Sequence, residues 1–275
     1  MEVDITITPA YKAAETYEQY VVPSLFRFWT PILLDRVPPQ PGEQVLDVAC
    51  GTGVVARAAV SMVSPGGKVA GIDINPAMLA VACKHYADHC EEIDWHEGMA
   101  ERLPFSDQSY DLVLCQQGLQ FFKDRPAAAR EMHRVLRDGG RVGIEVWQSL
   151  NLHPVYRALF QAAASALNLP LENVAGPFAY SDPSALENLL KDAGFQNVQI
   201  ETVVENAHFR DPDRYAELTF MSVAAMIPAF KNLDSAAQNE LKTAVNQEIA
   251  GVLKEYTVDN VMVFPMYASI ATAVR

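Results

Sequence analysis

Between Gln44 and Trp147 the apolar positions fall into short runs separated by longer amphipathic ones. "QVLDVA", "KVAGID", "IDWHEG", "SYDLVLCQQ" and "RVGIEVW" are the short runs, and each predicts a strand. The stretches between the first three and before the last read as helices: "GVVARAAVSMV", "NPAMLAVACKHYADHC" and "RPAAAREMHRVLRDGG". Pro76 stands in the first turn of the second helix, where a missing N–H costs nothing, and a Gly pair is expected to end the third. Strands separated by helices of this length form β-α-β units and a parallel sheet. Near-continuous apolar strands fit a sheet covered on both faces.

The pattern changes outside that region. Residues 12–37 read as helical, and Pro23 and Pro31 favour two short helices over one long one. After Trp147 come helical runs at "HPVYRALFQAAASALNL" and "SDPSALENLLKDAGF", then a sixth strand at "QNVQIETVVENAHF". Helices at "DPDRYAELTFMSVAAMIPAF" and "DSAAQNELKTAVNQEIAGVLKEY" precede a seventh strand at "FPMYASIATAVR". With no repeat and no low-complexity linker, we expect a single domain over 1–275. Its core would be about 40–149, 183–210 and 259–275, and its lid segments about 8–36, 150–180 and 211–258.

Charge narrows the function. A formal net charge of −13 and a pI near 4.8 disfavour a nucleic-acid binder, which needs a basic face. The start, "MEVDITITPAYK", is polar and acidic and fits no signal peptide. No apolar run has the roughly 18 residues of a membrane helix, so no stable membrane insertion is expected. The four cysteines, Cys50, Cys83, Cys90 and Cys115, form no C-x-x-C pair. They read as reduced thiols in a cytoplasmic protein, with no metal site.

The chemistry is carried by "VLDVACGTGVVA". "GTGVVA", Gly51 to Ala56, fits the G-x-G-x-x-[GA] turn that follows a strand and opens a helix. Asp47 ends that strand at the edge where open α/β sheets bind ligands. A carboxylate there opposes a diphosphate but suits an ammonium or a sulfonium. S-adenosylmethionine carries both and no phosphate. The alternative is that Asp47 only caps the turn. Asp73, at the end of the second strand, can accept both hydroxyls of a ribose, or merely cap the helix that begins at Pro76.

Four segments in this order, "VLDVACGTG", "GIDINPAML", "EGMAERLPFSDQSYDLVLCQQGLQFF" and "EMHRVLRDGGRV", resemble the class I S-adenosylmethionine-dependent methyltransferases. The nearest type is the small-molecule one that includes the ubiquinone/menaquinone C-methyltransferases, and residues 40–147 carry the likeness. It implies an α/β, Rossmann-like, seven-stranded and mostly parallel sheet with one antiparallel strand, helices on both faces and a helical lid.

The resemblance also implies roles. Gly51 and Gly53 turn under the methionine part, Asp47 orients its ammonium through water or a backbone amide, and the Gln116 carbonyl meets that ammonium. Asp73 takes the ribose, Ile74 and Met78 flank the adenine, and Ala100 offers it a backbone N–H. Tyr20, Ala49, Met99 and Glu101 complete the cofactor set. Met99 stands where the family often has Asp, which leaves van der Waals contact or Glu101 for the adenine amino group. Tyr17, Gln117, Gln120 and Trp147 are the candidate substrate contacts, with the alternative for Gln117 and Gln120 that they simply cap the strand. Methyl transfer to a small, apolar or aromatic acceptor would run by in-line displacement, with S-adenosylhomocysteine as product.

A base is needed only if the acceptor must lose a proton. His153, after the fifth strand, is the catalytic candidate; His208, Glu145, Tyr17 and Tyr20 are further ones. Aromatic and methionine side chains in the lid segments, among them Tyr17, Phe28, Trp29, Tyr156, Phe160, Phe178, Tyr180, Tyr215, Phe220, Met221 and Met226, either pack helices or enclose an acceptor pocket. Three rival readings are an NAD-dependent oxidoreductase, an RNA or protein methyltransferase, and a non-catalytic S-adenosylmethionine-binding protein. The expected oligomer is a monomer or homodimer.

Overall fold

The computed structural model describes residues 8–86, 92–215, 217–219 and 227–275. Its strands are β1 Gln44–Val48, β2 Lys68–Asp73, β3 Ile93–Glu97, β4 Tyr110–Gln116, β5 Leu136–Trp147, β6 Gln196–Phe209, β7 Thr257–Val258 and β8 Val261–Val274. They form one sheet in the order β3-β2-β1-β4-β5-β8-β6, with β7 pairing β8. β8 runs antiparallel to both β5 and β6, while the pairs from β3 across to β5 are parallel. The chain steps from β1 through β2 to β3 on one side, then returns to β4 on the other. The crevice beyond the carboxyl ends of β1 and β4 is therefore the topological switch point, where such sheets bind ligands.

The central strands are buried along nearly their whole length, as a sheet covered on both faces requires. β7 is an eighth strand that the apolar pattern does not predict. Asp259 and Asn260 join it to β8 with positive φ at both positions (48° and 60°), the combination a tight I′ hairpin needs.

The helices follow their caps. α3 (Val54–Val63) turns Val55, Ala56, Ala59 and Val63 into the core. α4 (Pro76–His85) is capped by Asn75, whose Oδ1 accepts the Ala77 N–H. α5 (Arg125–Val135) is capped by Asp124 in the same way. α5 stops before the Gly pair expected to end it, because Leu136 already pairs with Tyr110 and opens β5.

The prolines of the N-terminal segment do not break it. α1 (Pro9–Thr16), a π-helical stretch (Tyr17–Phe26) and α2 (Arg27–Arg36) run on without interruption. Pro23 lies within the π stretch. The wider i→i+5 ring absorbs its missing N–H and its bulk, and π turns of this kind recur at functional sites.

α6 (Pro154–Leu167) and the helix Ser235–Glu255 pack with the N-terminal segment and β8 into one apolar cluster. α7 (Pro183–Asp192) covers the opposite face, with Leu186 and Leu190 against Ile144 and Ala271. The helix expected over 211–230 falls partly outside the described residues, as do Phe220, Met221 and Met226. Cys50 and Cys115 are free and buried, but Cys83 is disulfide-bonded, which corrects the expectation of four reduced thiols. Cys90 lies outside the described residues. Among the described residues no helix is long and apolar enough to cross a membrane.

Candidate active site

A cavity of about 430 Å³ opens at the switch point. Three backbone positions on its first loop, Ala49, Gly51 and Gly53, take left-handed φ values of 56°, 55° and 84°. Ala49 is not a glycine, so the loop holds strain of the kind that collects at functional sites. Gln117, at the end of β4, is also left-handed (φ 54°) and faces the same cavity.

Asp47 lies beneath the loop and not on the cavity. It is 1 % exposed, and its Oδ2 accepts the Ala56 N–H at 3.0 Å. Burial pushes its carboxyl up to about 8. The structure thus gives Asp47 the turn-capping position rather than direct contact with a ligand. One N–H of the first turn of α3 is thereby taken by the Asp47 carboxyl.

Asp73 does line the cavity. Its Oδ2 accepts the Gly51 N–H and its Oδ1 the Asn75 N–H, each at 2.8 Å. Burial raises its pKa. Each oxygen keeps a lone pair, which fits a vicinal diol. Ile74 (63 % exposed) and Met99 (44 % exposed) also line the cavity. Two exposed apolar side chains with Met78 offer a flat ring the sandwich it needs. Ala100 and Glu101 line the same side, and Glu101 Oε1 accepts the Lys123 N–H at 3.1 Å. The residues present therefore fit an adenosyl group.

Tyr17, Ala49, Gly51, Gln116, Gln117, Gln120 and Trp147 also line the cavity. Gly53, Tyr20 and His153 do not. Gly53 packs on the Trp95 ring, and Tyr20 lies under the Arg214 guanidinium, 5.3 Å from it. His153 is fully buried. Its Nδ1 lies 2.9 Å from the Ser149 carbonyl, and its Nε2 accepts the Tyr267 N–H at 2.9 Å. Burial lowers its pKa. A neutral imidazole with both nitrogens bound to backbone fastens β8 to the start of α6 and has no free nitrogen for a substrate. His208 packs on the Phe28 ring, also outside the cavity lining.

Of the aromatic side chains in the expected lid segments, Tyr156 and Phe178 line the cavity, whereas Trp29, Phe160 and Tyr215 are core. Trp29 meets Trp147 edge-on at 5.3 Å and fixes that indole. Sequence reading misses Val21, Leu25 and Phe26, which the π stretch turns inward, and Phe121 and Phe122 after β4. Proline inside an amphipathic helix was the available signal for the first three. Beneath the floor, Glu145 is wholly buried, and burial pushes its carboxyl up to about 7.

Known proteins agree with this geometry. Residues 45–140 match the methyltransferase domain family. The demethylmenaquinone methyltransferase of Chlorobaculum parvum is 34% identical over 171 residues, which is 57% of this chain and 67% of that one. The nocamycin O-methyltransferase of Saccharothrix syringae is 31% identical over 69% of this chain and 72% of its own. The ubiquinone/menaquinone biosynthesis C-methyltransferase of Hahella chejuensis is 40% identical, but the match spans only 48% of its length. Among solved structures, the phosphoethanolamine N-methyltransferase 2 of Haemonchus contortus, in complex with S-adenosyl-L-methionine, has a TM-score of 0.56 at 20% identity, covering 90% of this chain and 52% of that one.

The fold and cavity define a methyl-donor enzyme of the α/β type. The chain belongs to the class I S-adenosylmethionine-dependent methyltransferases, and S-adenosylmethionine is its cofactor.

Proposed function

We propose that the chain methylates a small aromatic, apolar acceptor that carries a hydroxyl, a phenol or a quinone-type ring in its reduced, quinol form. The observation that carries this is one cavity lined by two kinds of group: the Asp73 carboxylate and the Gly51 turn, and the rings of Tyr17, Phe26, Trp147, Tyr156 and Phe178. The names of the relatives from Chlorobaculum parvum and Hahella chejuensis point to quinone-type acceptors.

When bound, S-adenosylmethionine supplies an electrophilic methyl group on a sulfonium. The chain's part is alignment and exclusion of water, in keeping with in-line displacement. Asp73 and Gly51 hold the cofactor. Ile74, Met78 and Met99 hold the adenine, with the Ala100 N–H and Glu101 at its edge. The aromatic walls orient the acceptor. The described residues of 8–36, 150–180 and 211–258 serve as the lid. Burial raises the pKa of both Tyr17 and Tyr156, so neither phenol is a ready base at neutral pH. The acceptor is therefore one that needs no strong base, an ionisable phenol or an electron-rich ring.

The net charge of −13 supports an acceptor other than nucleic acid. A cytoplasmic monomer or homodimer completes the reading. The test is a screen of phenols, quinols and amines with radiolabelled methyl donor. Label transfer to an aromatic acceptor, lost in Asp73→Ala, supports the proposal. No transfer to any acceptor by protein that binds the donor leaves the binding-protein reading in its place.

A further inference from the structure

The polar side chains at the end of β4 form a hydrogen-bonded chain of fixed direction. The Trp147 N–H donates to Gln117 Oε1 at 3.1 Å. A backbone N–H cannot accept, so the Gln117 amide has only one orientation. Its NH2 then donates to Glu145 Oε1 at 2.8 Å. Gln120 Nε2 donates to the same Gln117 oxygen at 2.8 Å, which sets the Gln120 amide in turn. On the other branch, the Thr30 hydroxyl donates to Gln116 Oε1 at 2.8 Å, and Gln116 Nε2 donates to Glu145 Oε2 at 3.2 Å.

One group at the end of this chain is left over. Gln120 Oε1 is sheltered from water and has no hydrogen-bond partner. Gln120 is itself 3 % exposed and lines the cavity. A buried acceptor without a donor is costly, and a ligand that brings a donor removes that cost. The amide cannot flip to offer its NH2 instead, because the Gln117 oxygen holds that NH2 and is itself fixed by the Trp147 N–H.

We infer that Gln120 determines acceptor specificity: its Oε1 receives an O–H or N–H from the aromatic acceptor and discriminates against rings whose polar edge is an ether or a carbonyl. Two facing acceptors would repel, and the fixed chain gives neither a way to turn. The inference rests on reading this cavity as the methyl-acceptor site. Glu145 acts at the far end of the chain as a positioning residue.

The test is equilibrium binding of 1-naphthol and of its methyl ether to the full chain saturated with S-adenosylhomocysteine. Wild type should hold 1-naphthol about tenfold more tightly than the ether. In Gln120→Met, which keeps the shape and removes the acceptor, the preference should shrink to about twofold or less, with S-adenosylhomocysteine affinity unchanged. Equal binding of the pair by wild type overturns the inference, as does binding of neither, or a preference that survives in Gln120→Met. Should that variant fail to fold, the wild-type pair decides alone. Failure of wild type to bind S-adenosylhomocysteine would instead defeat the methyl-transfer reading, and the inference with it.

Discussion

Gly51 and Gly53 stand two residues apart in one turn, yet their replacement by alanine should fail in different ways. Both are left-handed, so either methyl carries strain of roughly 1–2 kcal/mol. Loss of unfolded-state freedom offsets roughly 0.5 kcal/mol of that. At Gly51 a Cβ meets nothing within 4 Å, and the net loss is about 1 kcal/mol. At Gly53 a Cβ would overlap the Trp95 ring at Cη2 and lie 3.1 Å from its Cζ3. Overpacking of this kind adds roughly 2 kcal/mol, for a total near ~3 kcal/mol. Urea unfolding followed by tryptophan fluorescence reads the difference. With a slope of about 3 kcal/mol per molar, the two midpoints should separate by roughly 0.7 M. Ligand binding should rank the other way. Gly51 lines the cavity and Gly53 does not, so Gly51→Ala weakens S-adenosylhomocysteine more. Equal stability losses, or a larger loss at Gly51, would refute the steric assignment of Trp95.

Three further outcomes follow from the site. His153→Ala should cost about 2–4 kcal/mol, because it empties a packed position and strands the Tyr267 N–H; turnover per folded molecule should stay within about threefold, and a drop of several orders would restore His153 as a catalytic group. Burial lifts the Glu145 carboxyl from 4.5 to about 7, so between those values the folded state keeps a proton that the unfolded state has lost. That stability drains away as pH rises through the window, and the Tm of wild type minus that of Glu145→Gln should fall from pH 4.5 to pH 7; a flat or rising difference contradicts the burial argument. Met99→Asp places an acceptor at the cavity mouth and should tighten S-adenosylhomocysteine about threefold to tenfold by calorimetry, whereas weaker binding would remove the adenine from Met99.

The parts of this protein written in local patterns were legible in its sequence. Seven strands, their parallel core and the Asp73 cavity wall follow from apolar runs and one glycine turn. What was not legible depends on neighbours distant in sequence. The position of His153 is set by Tyr267, on a strand more than a hundred residues later. The inward face of Val21, Leu25 and Phe26 depends on a π register that proline signals only indirectly. The strand-end position of Asp47 left a role toward a ligand's charge and a turn-capping one both open; only the path of the loop shows that it turns down to the Ala56 N–H. Gln116 and Gln117 were visible as polar residues, but their common anchor on Glu145 was not, since it depends on β5 pairing beside β4, and Gln120 joins them only through Gln117.

The most direct test of the assignment is calorimetric titration of the purified chain with S-adenosylmethionine, S-adenosylhomocysteine and NADH, repeated on Asp73→Ala. Asp73 offers a charged acceptor to the ribose and holds the Gly51 loop, so its loss should cost roughly 1.5–3 kcal/mol, about tenfold to a hundredfold in affinity. Both sulfur nucleotides should bind wild type, NADH should not, and Asp73→Ala should lose them. Binding of NADH alone, or sulfur-nucleotide affinity unchanged in Asp73→Ala, would contradict it.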